Sequence, residues 1–246
     1  MVGQDAAPAA PNRIDLPGTA EEAWQAWAGL RHLPAADPLG WPSAVIVAAH
    51  PDDEILGVGG TMAVLAAAGA RLRLIAVTDG EASHPGADPQ AMARTRTAES
   101  AAARRVLGAG DIEVIRLRLP DTGLSDREDE LAARLRDLCA GFAVCLTPWE
   151  GDVHADHEAA GRAARRAAPH VLSYPIWMWH WAEPADRRVP WPRARRIPLT
   201  AQVAALKADA IQAFASQLTD RAGAAGPVLP PGIVAHFTRP QEVLLR

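Results

Sequence analysis

The sequence predicts an α/β fold: a Rossmann-like three-layer sandwich around a mostly parallel sheet, in a single domain. Three observations carry this. Apolar runs of strand length alternate with helical segments between residues 43 and 176, the rhythm of strand–helix–strand crossovers. The first run, AVIVAA at 44–49, is apolar throughout and β-branched at its centre, as in a strand covered on both faces. Polar clusters then stand directly after the runs, where such sheets bind ligands, beyond the carboxyl ends of the strands.

Taken in order, residues 1 to about 18 are rich in Ala and Pro and read as a flexible arm. Thr19 and Glu22 have capping-box spacing, and Trp24, Trp27 and Leu30 follow at helical spacing, which predicts one helix over 20–31. Strands are expected at 44–49, 71–78, 111–119, 142–147 and 170–176. Helices are expected at 57–70, 90–108, 126–140 and 155–168. Gly69 and Gly108 supply helix stops. The Trp- and Pro-rich stretch 177–198 reads as an excursion loop, followed by a helix at 200–217 and an edge strand at 233–245. The expected organisation is an arm with a short helix over 1–43 and the main domain over 44–246.

Composition narrows the function. The chain has 246 residues, 49% hydrophobic and 22% charged, which excludes global disorder. A net charge of -4 offers no footprint for nucleic acid or an anionic membrane. No apolar run reaches the roughly 18 residues of a membrane span, and the start does not read as a secretory signal. The two cysteines, Cys139 and Cys145, lie in apolar stretches, so a cytoplasmic protein without disulfides is expected. Oligomeric state is left open.

The chemistry concentrates in two segments. After the first strand stands His50-Pro51-Asp52-Asp53-Glu54, and after the fourth stands His154-Ala155-Asp156-His157. His50 and Asp53, three apart on a tight turn, can point at one spot, and a helix start puts His154 and His157 on one face. A catalytic zinc takes three protein ligands and keeps one open position, so a His/Asp/His set drawn from both segments suits it. Iron, cobalt or manganese would also bind such ligands. Asp52 is then placed to act as general base, and the second histidine of the HADH segment to steady an oxyanion or protonate a leaving amine. Each segment alone also reads as a polar turn or a charged helix start. The Gly57-Val58-Gly59-Gly60 run lacks dinucleotide-binding spacing.

These segments resemble the signature of the PIG-L / LmbE-like deacetylases, zinc enzymes that remove acetyl groups from N-acetylglucosaminyl substrates. The likeness extends through Val77-Thr78-Asp79-Gly80-Glu81, Arg96 with Glu99, Leu119-Pro120-Asp121 and His154-x-x-His157, over roughly 44–175. It implies zinc ligands His50, Asp53 and His157, Asp52 as general base, and His154 as the histidine assisting at the tetrahedral intermediate. It also implies Arg96 and Asp121 as residues that hold sugar hydroxyls. The implied substrate is a small N-acylated amino sugar or glycoconjugate. One departure stands out: Asp152 occupies the position where some sugar deacetylases of this group carry a tyrosine, which adds a carboxylate beside the histidines.

Some residues carry two readings. Arg96 also pairs naturally with Glu99 at i,i+3, and Asp121 also suits a turn. Trp177, Trp179 and Trp181 alternate, which puts all three on one face of an extended segment, either as a platform for a sugar or aglycone or as a cover over the sheet edge. Trp149 is the aromatic expected to reach the pocket. Two further functions stay in view: an amidase for a thiol-sugar conjugate or glycosylated natural product, and a metal-binding module without turnover.

Overall fold

The structure is a computed structural model that describes residues 14, 16–220 and 226–246, so most of the Ala/Pro-rich arm lies outside the described residues. Two short helices come first, α1 (Glu21–Ala26) and α2 (Ala28–Arg31). The alternating part then runs β1 (Ser43–Ala48), α3 (Asp53–Ala67), β2 (Arg71–Ala76), α4 (Pro89–Val106), β3 (Glu113–Arg116), α5 (Glu128–Cys139), β4 (Val144–Pro148), α6 (Ala155–Ala167) and β5 (Val171–Tyr174). The remainder is α7 (Met178–Trp181), β6 (Ala194–Pro198), α8 (Ala201–Ile211), α9 (Ala215–Leu218), α10 (Pro231–Ala235) and β7 (Gln241–Leu245).

The strands form one sheet in the order β3-β2-β1-β4-β5-β7-β6. The first five are parallel, and β7 and β6 are added antiparallel. β1 is central, and its side chains alternate between two cores. Ala44, Ile46 and Ala48 join the layer of α3, α4 and α8, whereas Val45 and Val47 join the layer of α5 and α6. The three-layer sandwich expected from the sequence is therefore present.

Strand order explains how distant segments meet. The chain leaves β1 toward β2 and β3, then returns across the sheet to β4 on the other side of β1. A crevice opens at such a reversal, outside the carboxyl ends of the two strands. His50 follows β1, and His154 with His157 opens α6 after β4.

Four expectations outside the alternating part are corrected. The single helix over 20–31 is broken at Trp27, whose ψ of 111° is extended, and Thr19 caps nothing: its hydroxyl donates to Ala182 O at 2.6 Å. The expected loop 177–198 holds a helical turn and the strand β6, which is the true edge of the sheet. The expected edge strand 233–245 is α10 followed by β7, and β7 is interior, between β5 and β6. The helix expected over 200–217 ends at Ile211 and resumes as α9.

Helix α3 begins at Asp53, not at residue 57, and is kinked at Val58 (φ -139°). The glycines around the kink serve packing: a Cβ on Gly57 would meet the Tyr174 ring at 2.2 Å. Beyond the kink the amides of Gly60 and Thr61 donate to the Glu242 carboxylate at 2.7 and 2.8 Å, so β7 caps the second half of α3. Lys207, the one lysine of the chain, closes this buried group through Nζ–Oε1 at 2.7 Å.

Candidate metal centre and cleft

The tight turn after β1 and the start of α6 bring three candidate ligand residues together. His50 Nδ1 lies 3.3 Å from His157 Nε2, and His157 Nε2 lies 3.2 Å from Asp53 Oδ1. The other oxygen of Asp53 is 3.6 Å from His50 Nδ1 and accepts the His50 amide at 2.8 Å. Tetrahedral donors at bonds of about 2.0–2.1 Å stand about 3.3 Å apart, which matches the His50–His157 and His157–Asp53 separations; His50, His154 and His157 also bring ligand atoms within 4.8 Å of one another.

Each histidine is oriented by a carboxylate at its far nitrogen. His157 Nδ1 faces Asp152 Oδ2 at 2.7 Å, and His50 Nε2 faces Asp121 Oδ1 and Asp156 Oδ2, both at 3.2 Å. Donating N–H there leaves the other nitrogen as a lone-pair donor toward the shared point. The carboxylates are themselves held. Asp152, fully buried, accepts the amides of Ile176, Trp177 and Met178 at 2.9–3.0 Å. Asp156 accepts those of Thr122 and Leu124 at 2.8 and 3.1 Å.

This crowd of carboxylates demands positive charge. Burial disfavours the His157 cation, yet Asp53 and Asp152 outweigh it and lift its pKa to about 9. Burial likewise opposes the His50 cation, and its hydrogen bonds to Asp121, Asp156 and Asp53 still raise it well above the usual value. The same protons hold the Asp53 carboxyl well below its usual range against the pull of burial. A divalent cation would meet this demand in place of the protons. The buried His50/His157/Asp53 group can therefore bind a metal.

Around this point lies a cleft of about 560 Å³, open to solvent and lined by Asp52, Arg96, Asp121, His154 and Trp177 among others. Asp52 sits on strained backbone, at φ 146°, between the turn and α3. Thr122 (φ 67°) and Val153 (φ 68°) share this feature on the two facing loops, and a β-branched residue there is a true outlier. Burial pushes the Asp52 carboxyl up to about 7, although the Arg96 cation opposes it. His154 stacks on His157, ring centres 4.6 Å apart, and burial with its two charged neighbours lowers it to about 3.

The expected metal-binding, catalytic and sugar-holding residues all reach the cleft, some with different partners than expected, whereas Trp149, expected to reach it, does not. Arg96 does not pair with Glu99: it donates to Asp52 Oδ2 at 2.9 Å, to Pro51 O at 3.0 Å and to Gly80 O at 3.2 Å. Asp121 accepts the Ala82 amide at 2.9 Å in addition to facing His50. Trp149 is buried in the core and stacks on Trp181. The three tryptophans do not all share one face, because 178–181 is helical and turns Trp179 away from Trp177 and Trp181. Trp177 lines the cleft while Trp179 packs edge-on against Trp24 at 5.1 Å. Sequence reasoning missed the anchoring by Asp156. Its one signal was the position two residues into a helix that carries a ligand.

Known proteins resemble this chain. A family profile described as GlcNAc-PI de-N-acetylase, PIG-L, matches residues 45–168, just over half of the chain. A 1D-myo-inositol 2-acetamido-2-deoxy-alpha-D-glucopyranoside deacetylase of Streptomyces griseus is 33% identical over 175 residues, covering 54% of each chain. This chain thus spans about half the length of the curated relatives it matches. A solved conserved protein of Thermus thermophilus is 28% identical at a TM-score of 0.57, over 78% of this chain and 84% of that one. The N,N'-diacetylchitobiose deacetylase of Pyrococcus horikoshii, 19% identical, shares the fold at a TM-score of 0.58 over 84% and 82%. The profile match begins in β1 and ends just past α6, taking in both histidine segments, and the chain belongs to the PIG-L family.

Proposed function

We propose that this protein is a zinc-dependent amide hydrolase that removes an acetyl or acyl group from an amino sugar or its small-molecule conjugate. The observation that carries the reading is the meeting of the two histidine segments around His157 Nε2, which lies 3.3 Å from His50 Nδ1 and 3.2 Å from Asp53 Oδ1. A divalent ion held there would supply Lewis acidity and would bring the pKa of water toward neutrality. Asp52 takes the proton of the attacking water, held in line by the Arg96 guanidinium at 2.9 Å. His154, neutral and stacked on His157, steadies the reacting oxygen through a ring N–H, and the proton taken by Asp52 passes to the departing amine. Arg96 and Asp121 flank the sugar. The deacetylase named in Streptomyces griseus supports this substrate class, and the buried free thiols Cys139 and Cys145 suit a reducing cytoplasm.

A second substrate reading has one observation in its favour. Leu56, Ile176, Trp177 and Leu229 make part of the cleft apolar, as an apolar aglycone of a glycosylated natural product or thiol-sugar conjugate would require.

The test pairs metal content with amine release from N-acetylglucosaminyl inositol, diacetylchitobiose and an acylated glycoside. Chelation should abolish release and zinc should restore it. Asp52→Asn should keep its metal and lose about 10²–10⁴-fold in rate. Release that survives chelation, or a drop below about tenfold in Asp52→Asn, overturns the mechanism. Metal binding with no release from any of the three marks a binding module.

A further inference from the structure

The family match ends at residue 168, but part of the cleft wall comes from the chain beyond it. Gln217 of α9 belongs to that wall and is fully buried, at 0% exposure. Its amide has a defined orientation. Glu99 of α4 is an acceptor only, so the 2.7 Å contact from Ser216 Oγ to Glu99 Oε2 uses the serine proton. Ser216 Oγ is then free only to accept, and Gln217 Nε2 donates to it at 2.8 Å. The NH₂ end is thereby turned to Ser216, which leaves Oε1 at the other end.

Gln217 Oε1 is buried and has no hydrogen-bond partner among the described residues. Its backbone is tied down as well: Gln217 N donates to Phe214 O and Leu229 N donates to Gln217 O, both at 2.9 Å, and Ser216 N donates to Glu99 Oε1 at 2.8 Å. A fixed, buried carbonyl oxygen is costly unless a donor satisfies it. The cleft holds two more such atoms, since Arg96 Nε and His154 Nδ1 are also buried without a partner among the described residues. An unmet acceptor beside an unmet donor and an unmet ring nitrogen on a common cleft suit a ring bearing several hydroxyls.

We propose that Gln217 is a substrate-binding residue whose Oε1 accepts a hydrogen bond from one hydroxyl of the amino-sugar ring, so that sugars lacking that hydroxyl are discriminated against. The identity of the ring rests on the hydrolase reading above, whereas the recognition itself can be read by binding without turnover.

The experiment uses the metal-loaded full chain, as wild type and as Gln217→Met, which keeps the length and removes the amide. Probes are methyl N-acetylglucosaminide, its deacetylated product and analogues of each lacking one ring hydroxyl. Calorimetry reads binding, and amine release reads KM and kcat. Gln217→Met should weaken binding and raise KM about tenfold, with kcat changed less than about twofold. With one analogue the penalty of the substitution should vanish, because the partner hydroxyl is already gone. Gln217→Asn, with the same group on a shorter stem, should show coupling to the same analogue and serves if the Met variant misfolds. Unchanged binding, or equal losses with every analogue, overturns the proposal. Coupled binding without amine release from wild type leaves Gln217 in place and defeats the hydrolase reading. A wild type that binds none of the probes overturns both.

Discussion

Among the described residues the protein buries two histidine–carboxylate clusters, and they differ in one respect. At the carboxyl ends of β1 and β4, His50 and His157 each use one ring nitrogen on a carboxylate and turn the other toward a shared point. Where α1 meets the segment after α10, Glu21 is met by His236 Nδ1 at 2.7 Å and by both Arg239 Nε and Nη2. There the charges close on each other, and the Arg239 guanidinium also lies 4.1 Å from the Trp179 ring centre. Burial of polar groups therefore does not by itself mark a functional site. Donors left aimed at one point mark it, and groups that satisfy each other mark a clasp.

The sharpest break of this contrast is removal of a ligand. His157→Ala should lose bound metal by more than about 100-fold in affinity, beyond the range for outer partners, and amine release should fall with it. His236→Ala, the matching change in the clasp, should leave metal content untouched. Metal analysis of the two purified variants checks the pair, and equal metal retention would erase the distinction drawn here.

Asp152 sharpens it further. Its carboxylate accepts from His157 Nδ1 and from three amides at 176–178, so it fixes the ring tautomer and ties the ring to the chain after β5. In Asp152→Asn, one end of the side chain must present N–H groups toward donors. Metal affinity should fall about 10–100-fold while Asp53 and both histidines remain. A titration with a competing chelator measures this, and an unchanged affinity would mean that packing alone orients His157.

How much of this was legible follows from the range of each interaction. HPDDE and HADH could be read because each directly follows a buried strand, and parallel-sheet topology says where strand ends gather. The alternating core of β1 was legible for the same reason. Asp152 could be noticed but not explained, since its amide partners lie 24–26 positions away across β5. Gln217 sits beyond the familiar motifs, at the end of a helix whose break at 212–214 leaves no periodic signal. WMWHW at 177–181 satisfies strand alternation and a helical turn equally over five residues, and only the packing of Trp179 on Trp24 decides. β6 hid in PRARRIP because it is an edge strand with half-buried arginines.

The clasp yields the smallest effect and the one with a defined pH window. Burial alone would raise the Glu21 carboxyl, but hydrogen bonds from Arg239 and His236 reverse this and bring it down to about 2, from 4.5. A carboxyl that is more acidic when folded stabilises the fold above its unfolded value, and the gain disappears as pH falls through the folded value. Wild type should therefore exceed Glu21→Gln in stability by a constant margin above about pH 5, and the margin should shrink toward zero near pH 2. The plateau should be about 2 kcal/mol, below a fully dry pair because glutamine still hydrogen-bonds, or about 4–8 °C in Tm for a chain of this size. Thermal melts of both proteins across this range test it. A margin that persists at the acid end would show that Glu21 acts through packing against the tryptophans and not through its charge.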